Sequence, residues 1–330
     1  MRSASRTANS ATTSTDFSRL GGLLSCPDDG MPLVCTPSSI ECRNCDRHFP
    51  ISKDGVVELL PHKPTDIART IEKNKPYWEE YQREFHKPYQ QDPSAIAWGA
   101  PEISDTRWLR KRLRQVSAAR PLIVEPRISI EQILCDIAAG AGNYTFSYAP
   151  YFKAVLHCDL SVDNLNYAVR KARRIGIQNV FFLRIDYFSP PFQQSLDRII
   201  CFDTLIRGEQ HEVLLLNSIS RSLKARGHAL VDFHNWWHNP LRRLGLLPQN
   251  FGENRSYRRV IAKQLLHMAG IPHFESFAFR QEFDSAGEKQ TFLSFALPAT
   301  RLLYRFNGRE TSQAVERPNP GSKLEIAPCG

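Results

Sequence analysis

The sequence predicts an α/β fold, a mostly parallel sheet with helices, preceded by a small cysteine-bearing unit. Three observations lead there. From Ile130 onward, apolar runs alternate with segments of helical period, the pattern of strand–helix–strand units. At the head of that region, Ile133 to Tyr144 reads ILCDIAAGAGNY, an apolar run that ends in an acid and turns through small residues toward a helix. The first three apolar runs each end in an aspartate: Asp136, Asp159 and Asp186.

Length and composition set the bounds. At 330 residues there is room for one large domain and a small one, and 42% apolar content is enough for a core. The chain has no apolar run of 18 residues, so no membrane partner is expected and a cytoplasmic location is. A formal charge of +9 admits anionic partners, RNA or carboxylated and phosphorylated metabolites, without choosing among them. Eight cysteines in so long a chain do not make a disulfide framework; four fall between Cys26 and Cys45, which fits a reducing compartment and a metal site. Nothing in the sequence speaks to oligomeric state.

In order along the chain, residues 1–16 are Ser/Thr/Ala-rich and read as a disordered tail. Residues 17–62 read as a compact unit. Its Cys42-x-x-Cys45 has the spacing of a knuckle, where a tight turn brings two thiolates onto one zinc ion. So short a segment buries little core unaided, and metal binding would supply the missing folding free energy. Residues 63–129 read as a helical region that encloses the substrate or forms a lid. A helix is expected from Asp66 to Phe85, with Tyr77, Trp78, Tyr81 and Phe85 as a packing stripe. Pro88 to Pro101 reads as a linker or lid, and a second helix, Asp105 to Ala118, carries the basic run Arg107–Arg114 as a solvated face.

The main domain is expected over 130–300. Strands are predicted at Ile133–Ile137, Ala154–Asp159, Val180–Asp186, Arg198–Phe202 and Ala229–His234. Helices are predicted at Thr145–Tyr151, Val162–Ile175, His211–Ala225 and Ser256–Ala269. Two more strands, His273–Phe283 and Thr291–Leu297, have no helix between them and should pair antiparallel. The polar, Pro/Gly-rich tail, 307–330, reads as disordered.

The small-residue turn points to a nucleotide-like ligand, because glycine lets a ligand approach the backbone and a helix start offers free N–H groups. A phosphate-binding P-loop is excluded, since no Gly-Lys-Ser/Thr follows. A dinucleotide turn would want a third glycine where Thr145 stands. What remains, an acid followed by Ala138, Gly140 and Gly142, resembles motif I of the class I S-adenosylmethionine (SAM) methyltransferases, with Ala138 where many members have glycine. The resemblance covers roughly Ile130 to Leu297 and implies their seven-stranded Rossmann-like sheet. If SAM is the ligand, each acid has a task. Asp159 accepts the ribose hydroxyls, Asp186 accepts from the adenine amine with Tyr187 against the ring, and Asp136 lies near the ligand's cationic groups and orders the loop.

The N-terminal unit carries a second resemblance. CPDDGMPL, CRNCDRHFPI and VVELLP resemble the short zinc ribbon that precedes the methyltransferase domain in bacterial ribosomal-RNA guanine methyltransferases, and that also occurs in small activator subunits of tRNA and protein methyltransferases. The likeness implies structural zinc on Cys26, Cys35, Cys42 and Cys45. The first knuckle of that family reads Cys-Pro-x-Cys, and Asp29 stands at its second cysteine position here. The fourth ligand is thus Cys35, Asp29 or none, with His48 a further alternative.

The acceptor should sit beyond the fourth and fifth strands. Asp203, Arg207, Glu209 and His211 gather after the fourth; FHNWWHNPLRR, residues 233–243, follows the fifth. His234 or His238 is the candidate base, with Asp203 a further catalytic candidate; Arg207, Arg242 or Arg243 would fork onto a carboxylate or phosphate, and Trp236 and Trp237 would form flat walls. Ser189-Pro190-Pro191-Phe192 follows the third strand and reads as a loop. The favoured expectation is a SAM-dependent methyltransferase acting on an O or N of a small, anionic metabolite. The alternatives are an RNA base as acceptor and a non-enzymatic SAM-fold activator of a partner.

Overall fold

The computed structural model describes residues 16–73, 107–124, 130–205, 208–238, 256–279, 299 and 301–308. Three short strands, β1 (Val34–Cys35), β2 (Ile40–Cys42) and β3 (Arg47–Phe49), form a small antiparallel sheet in the N-terminal unit. The main sheet contains β4 (Val56–Leu59), β5 (Ile133–Ile137), β6 (Ala154–Asp159), β7 (Val180–Ile185), β8 (Leu196–Leu205), β9 (Leu223–His234), β10 (Glu275–Phe279) and β11 (Arg301–Asn307). Its order is β10-β11-β9-β8-β5-β6-β7-β4. The central strands run parallel, and β11 is antiparallel to both β9 and β10.

This is the expected class I sheet of seven strands, with an eighth lent by the N-terminal unit. Val56–Leu59 pairs parallel with β7, Leu59 opposite Ile185. Three buried residues in four (Val56, Val57 and Leu59) explain why this stretch joins a sheet rather than lying on the surface. The unit is bound further by Ser25 N–H to Pro191 O at 2.9 Å and by Ser195 Oγ to Leu23 O at 2.8 Å. Its Phe17, Leu20, Leu24 and Phe49 share one core with Phe181, Phe188 and Phe192.

The helices are α1 (Asp66–Lys73), α2 (Arg107–Val124), α3 (Asn143–Tyr148), α4 (Val162–Ile175), α5 (Glu209–Ser222) and α6 (Arg259–Met268). The helix α4 starts on Ser161, whose side chain accepts from Asn164 N–H, and stops at Gly176 at φ 73°. Strand β6 is buried at every position, as a strand covered on both faces must be. On the face opposite the N-terminal unit, Val116 and Ile123 of α2 pack with Tyr148, Leu165 and Leu134.

One expectation lies outside the described residues and one needs correction. The expected strand Thr291–Leu297 is outside them, while Arg301–Asn307 forms a strand that was not expected. Its Leu302, Tyr304 and Phe306 are buried, and it pairs with β9, Tyr304 opposite Val231. The second helix extends to Val124, past Ala118, carrying Pro121 within it. Beyond Lys73 the first helix, with its aromatic stripe, lies outside the described residues, as do both expected tails apart from Asp16, Asn307 and Gly308. No helix among the described residues is long and apolar enough to cross a membrane.

Candidate active site and metal-binding group

Strand β5 lies between β6 and β8, so the chain order reverses there. Crevices at such switch points, beyond the carboxyl ends of the strands, take ligands in open parallel sheets. The turn that follows β5 puts Ala138 at φ 55°, Gly140 at φ 54° and Gly142 at φ 73°, all left-handed. The two glycines differ. A Cβ on Gly142 would stand 2.4 Å from the Phe146 ring, whereas one on Gly140 would meet nothing within 4 Å. Gly142 is needed for packing, and Gly140 leaves its side of the loop open.

Asp136 ties this loop down from beneath. Its Oδ2 accepts from Thr145 N–H at 2.9 Å and Thr145 Oγ at 2.6 Å, closing on the first turn of α3. Thr145 Oγ also meets His157 Nδ1 at 2.8 Å. Burial pushes the Asp136 carboxyl up to about 7 against those two bonds, and burial lowers His157 to about 3, so its ring is neutral. Lys171, also buried and pushed down to about 7, reaches Ala141 O at 3.4 Å.

Asp159 holds the loop from the side. Its Oδ2 accepts from Gly140 N–H at 2.8 Å and Asn164 Nδ2 at 3.2 Å, and its Oδ1 from Ser161 N–H at 2.8 Å. Burial raises this carboxyl, opposed by the same hydrogen bonds. Asp186 follows β7 rather than ending it. Its oxygens accept from Thr65 N–H at 2.8 Å and Phe188 N–H at 3.0 Å. The Tyr187 ring is buried in the core, 4.9 Å from Phe188.

Four charged or ionisable side chains meet at the ends of β8 and β9. Asp203 sits at φ 58° in a register shift of β8 between Cys201 and Leu205, a bulge that re-aims its side chain. Its N–H donates to Asp232 Oδ1 at 2.7 Å, and its carboxylate takes His234 Nε2 at 3.2 Å and the Arg301 guanidinium. Arg301 also faces Asp232 at 3.5 Å. Beside this group, Tyr257 donates its hydroxyl to Glu212 at 2.7 Å and its N–H to His234 O at 2.8 Å. Arg258 stacks 4.8 Å over Trp236, next to the half-exposed Trp237.

The structure brings His234 and Asp203 within 3.2 Å of each other. Arg207 and Arg242 lie outside the described residues, and of His238 only the backbone, in the turn Trp236–His238, is described. Asp232, Arg301, Glu212 and Tyr257 were not expected. Asp232 could have been found from the period of β9, where it is two residues from His234 on the same face. Arg301 opens β11, a strand that was not expected, and carried no such signal.

In the N-terminal unit, Cys26, Asp29, Cys42 and Cys45 offer ligand atoms within 4.8 Å of one another. Cys35 is not among them, a correction to the expected set. It stands at the end of β1, half-buried against the core, where burial pushes its thiol up to about 11. Two separations among the four atoms match those that a zinc ion would set. Tetrahedral bonds of about 2.3 Å to sulfur and about 2.0 Å to oxygen put S and S about 3.8 Å apart and S and O about 3.5 Å apart. Cys26 and Cys45 sulfurs are 3.7 Å apart, and Cys42 sulfur is 3.4 Å from Asp29 Oδ2. The Asn44 amide and Met31 N–H hold the Asp29 carboxyl well below the usual range, and burial pushes the Cys26 thiol up to about 12, a cost that a bound cation would offset.

Residues 134–227 match a family model described as a methyltransferase domain. No curated protein matches the sequence. Among solved structures, magnesium protoporphyrin IX methyltransferase from Synechocystis PCC 6803, with bound S-adenosylhomocysteine, aligns at 15% identity over 74% of this chain and 100% of its own, TM-score 0.49. Phosphoethanolamine N-methyltransferase 2 of Haemonchus contortus, in complex with SAM, aligns at 15% identity over 60% of this chain, TM-score 0.45; the aligned part spans 53% of that enzyme. A geranyl diphosphate methyltransferase in complex with SAM aligns at 14% identity over 66% of this chain and 94% of its own, TM-score 0.44. The family match falls on the glycine loop, the strands that flank it and the acids near their ends, and it marks residues 134–227 as a methyltransferase domain within a Rossmann-like sheet.

Proposed function

We propose that the protein moves a methyl group from SAM to an oxygen or nitrogen of a small metabolite, with His234 taking the acceptor's proton. The observation that carries this is the 3.2 Å pairing of His234 Nε2 with Asp203 at the end of β8 and β9, where an acceptor would face the methyl group. A carboxylate only accepts, so the proton between them belongs to Nε2, and the neutral ring keeps its lone pair on Nδ1. Charge supports the same role. Two carboxylates, Asp203 and Asp232, face one guanidinium, Arg301, so protonation of His234 brings the group from a net charge of about −1 to neutrality.

SAM supplies a methyl carbon on a positively charged sulfur, ready for in-line displacement. The chain aligns and dries the reacting atoms. Gly140 opens the loop to the ligand, Asp159 and Asp186 offer acceptors toward the ribose and the adenine, and Asp136 anchors the loop. Arg301 is already engaged by two aspartates. Recognition of an anionic group therefore falls to Arg207 or Arg242, while the described residues favour an acceptor that releases a proton, a hydroxyl or an ammonium. In the N-terminal unit we propose structural zinc on Cys26, Asp29, Cys42 and Cys45.

The test is labelled SAM with the purified protein, offered a metabolite extract and a pool of RNA. Transfer into the small-molecule fraction, lost in His234→Ala, is the expected result. Transfer into RNA that falls steeply with salt would overturn it in favour of RNA, because phosphate contacts release counterions.

A further inference from the structure

The metal-binding group and the acid proposed to meet adenine are joined by a short run of polar contacts. Both knuckles contribute to it. Asp28 lies between Cys26 and Asp29, and Arg47 lies two residues after Cys45. Asp28 Oδ1 accepts from His62 N–H at 2.7 Å, and its Oδ2 takes the Arg47 guanidinium. The second arm of Arg47 donates to Leu60 O at 2.7 Å. The pair is largely shielded, with side chains 19% and 21% exposed, so it is worth more than a surface ion pair. Both metal loops therefore grip residues 60–62. This segment leaves β4, crosses the end of β7 and enters α1. At that entry Thr65 N–H donates to Asp186 Oδ2 at 2.8 Å, while Thr65 Oγ accepts from Ala68 N–H.

We infer that the metal site braces the cofactor site, with Asp28 as a positioning residue. Through residues 60–65 and the Thr65 amide it fixes the Asp186 carboxylate in the orientation that meets the ligand, so metal occupancy sets SAM affinity. This rests on the assignment of Asp186 to adenine. The path has few joints. Asp186 has two oxygens, one held by the rigid Phe188 amide of its own turn and one by Thr65. Loosening the 60–62 grip frees the second oxygen to rotate away, or to bind water.

The experiment measures S-adenosylhomocysteine affinity by calorimetry, with metal content, on the full chain in three forms: zinc-loaded, chelator-stripped, and Asp28→Ala reloaded with zinc. Asp28→Ala should keep about one zinc per chain yet bind about fivefold more weakly, the effect of one ordering hydrogen bond. The stripped protein should bind more weakly still. Asp28→Asn, which keeps an oxygen for the His62 amide, should recover most of the affinity. Hydrogen exchange at the Thr65 amide should quicken in Asp28→Ala while amides of β5 and β6 keep their rates, whereas a role confined to folding stability would quicken all of them together. Should Asp28→Ala fail to fold, Arg47→Gln releases the Leu60 carbonyl instead and carries the same expectation. Ser39→Ala, in the Thr36–Ser39 turn of the same unit, should leave affinity unchanged. Equal affinity in the loaded, stripped and Asp28→Ala proteins overturns the inference, as does a purified protein that takes up no zinc. Failure of the zinc-loaded protein to bind at all removes the cofactor assignment itself, a result distinct from binding that ignores the metal.

Discussion

The two glycines of the loop should fail in different ways when each is replaced by alanine. Both have left-handed backbones, Gly140 at φ 54° and Gly142 at φ 73°, so each alanine costs about 1–2 kcal/mol of strain. At Gly142 the new Cβ would also lie 2.4 Å and 2.8 Å from two carbons of Phe146 and 3.3 Å from His157. Phe146 is buried and lies under the Lys171 ammonium, and the start of α3 is fixed by Asp136, so neither partner yields cheaply. Overpacking of this kind adds about 1–3 kcal/mol. Gly142→Ala should therefore lose about 2–5 kcal/mol, a fall in Tm of roughly 4–10 °C at about 2 °C per kcal/mol in a chain of this size. At Gly140 the space is open, and only the strain applies, roughly 2–4 °C. The open side is where the ligand would lie, so Gly140→Ala should weaken S-adenosylhomocysteine at least about tenfold. Scanning fluorimetry and calorimetry on the two variants decide the matter. A Gly140→Ala protein that binds normally, or a Gly142→Ala protein as stable as the parent, would refute the division of labour.

Further outcomes follow from the same geometry. Asp29→Ala should lose the bound metal while Cys35→Ser keeps it, measured as zinc per chain after purification. His234→Ala should lower kcat about a hundredfold or more with S-adenosylhomocysteine affinity unchanged, and Asp203→Asn should do likewise to a smaller extent, read in steady-state kinetics. Asp136 titrates near 3.8 in the unfolded chain and at about 7 in the folded one, so between those values the folded state holds the extra proton. Its contribution to stability is full below about pH 4 and is lost as the pH rises through about 7. Denaturant unfolding of the parent against Asp136→Asn, at pH 4.5 and pH 7.5, should show the parent's relative stability falling across that window; a constant difference would refute the buried, proton-holding acid.

Most of the sheet is legible because its signals are local. Helix α4 spans Val162–Ile175 as its apolar period predicts, with Ser161 and Gly176 capping its two ends. Asp136, Asp159 and Asp186 fall at or beside the carboxyl ends of β5, β6 and β7, as their place at the ends of apolar runs predicts. Strand β11 is not legible, because RLLYRFN stands beyond the two strands that the pattern marks, and its place comes from pairing with β9. For the same reason Arg301 and its aspartates escape notice, since they meet only through that pairing. VVELLP is visible as an apolar run, yet its place beside β7 depends on a partner more than a hundred residues away. The metal set is partly legible. Asp29 occupies the i+3 position after Cys26, as Cys45 does after Cys42, which makes it an alternative to Cys35, but the spacing alone does not choose between them.

The account depends on one claim above the others, that the crevice beyond β5, β6 and β7 holds SAM. Asp159 tests it best, since its carboxylate touches the glycine loop and faces the proposed ribose. Calorimetry of S-adenosylhomocysteine should show one site per chain on the intact protein, and binding about tenfold or more weaker in Asp159→Ala, from the loss of charge-assisted hydrogen bonds. Absence of binding to the intact, folded protein, or equal affinity in Asp159→Ala, would contradict it.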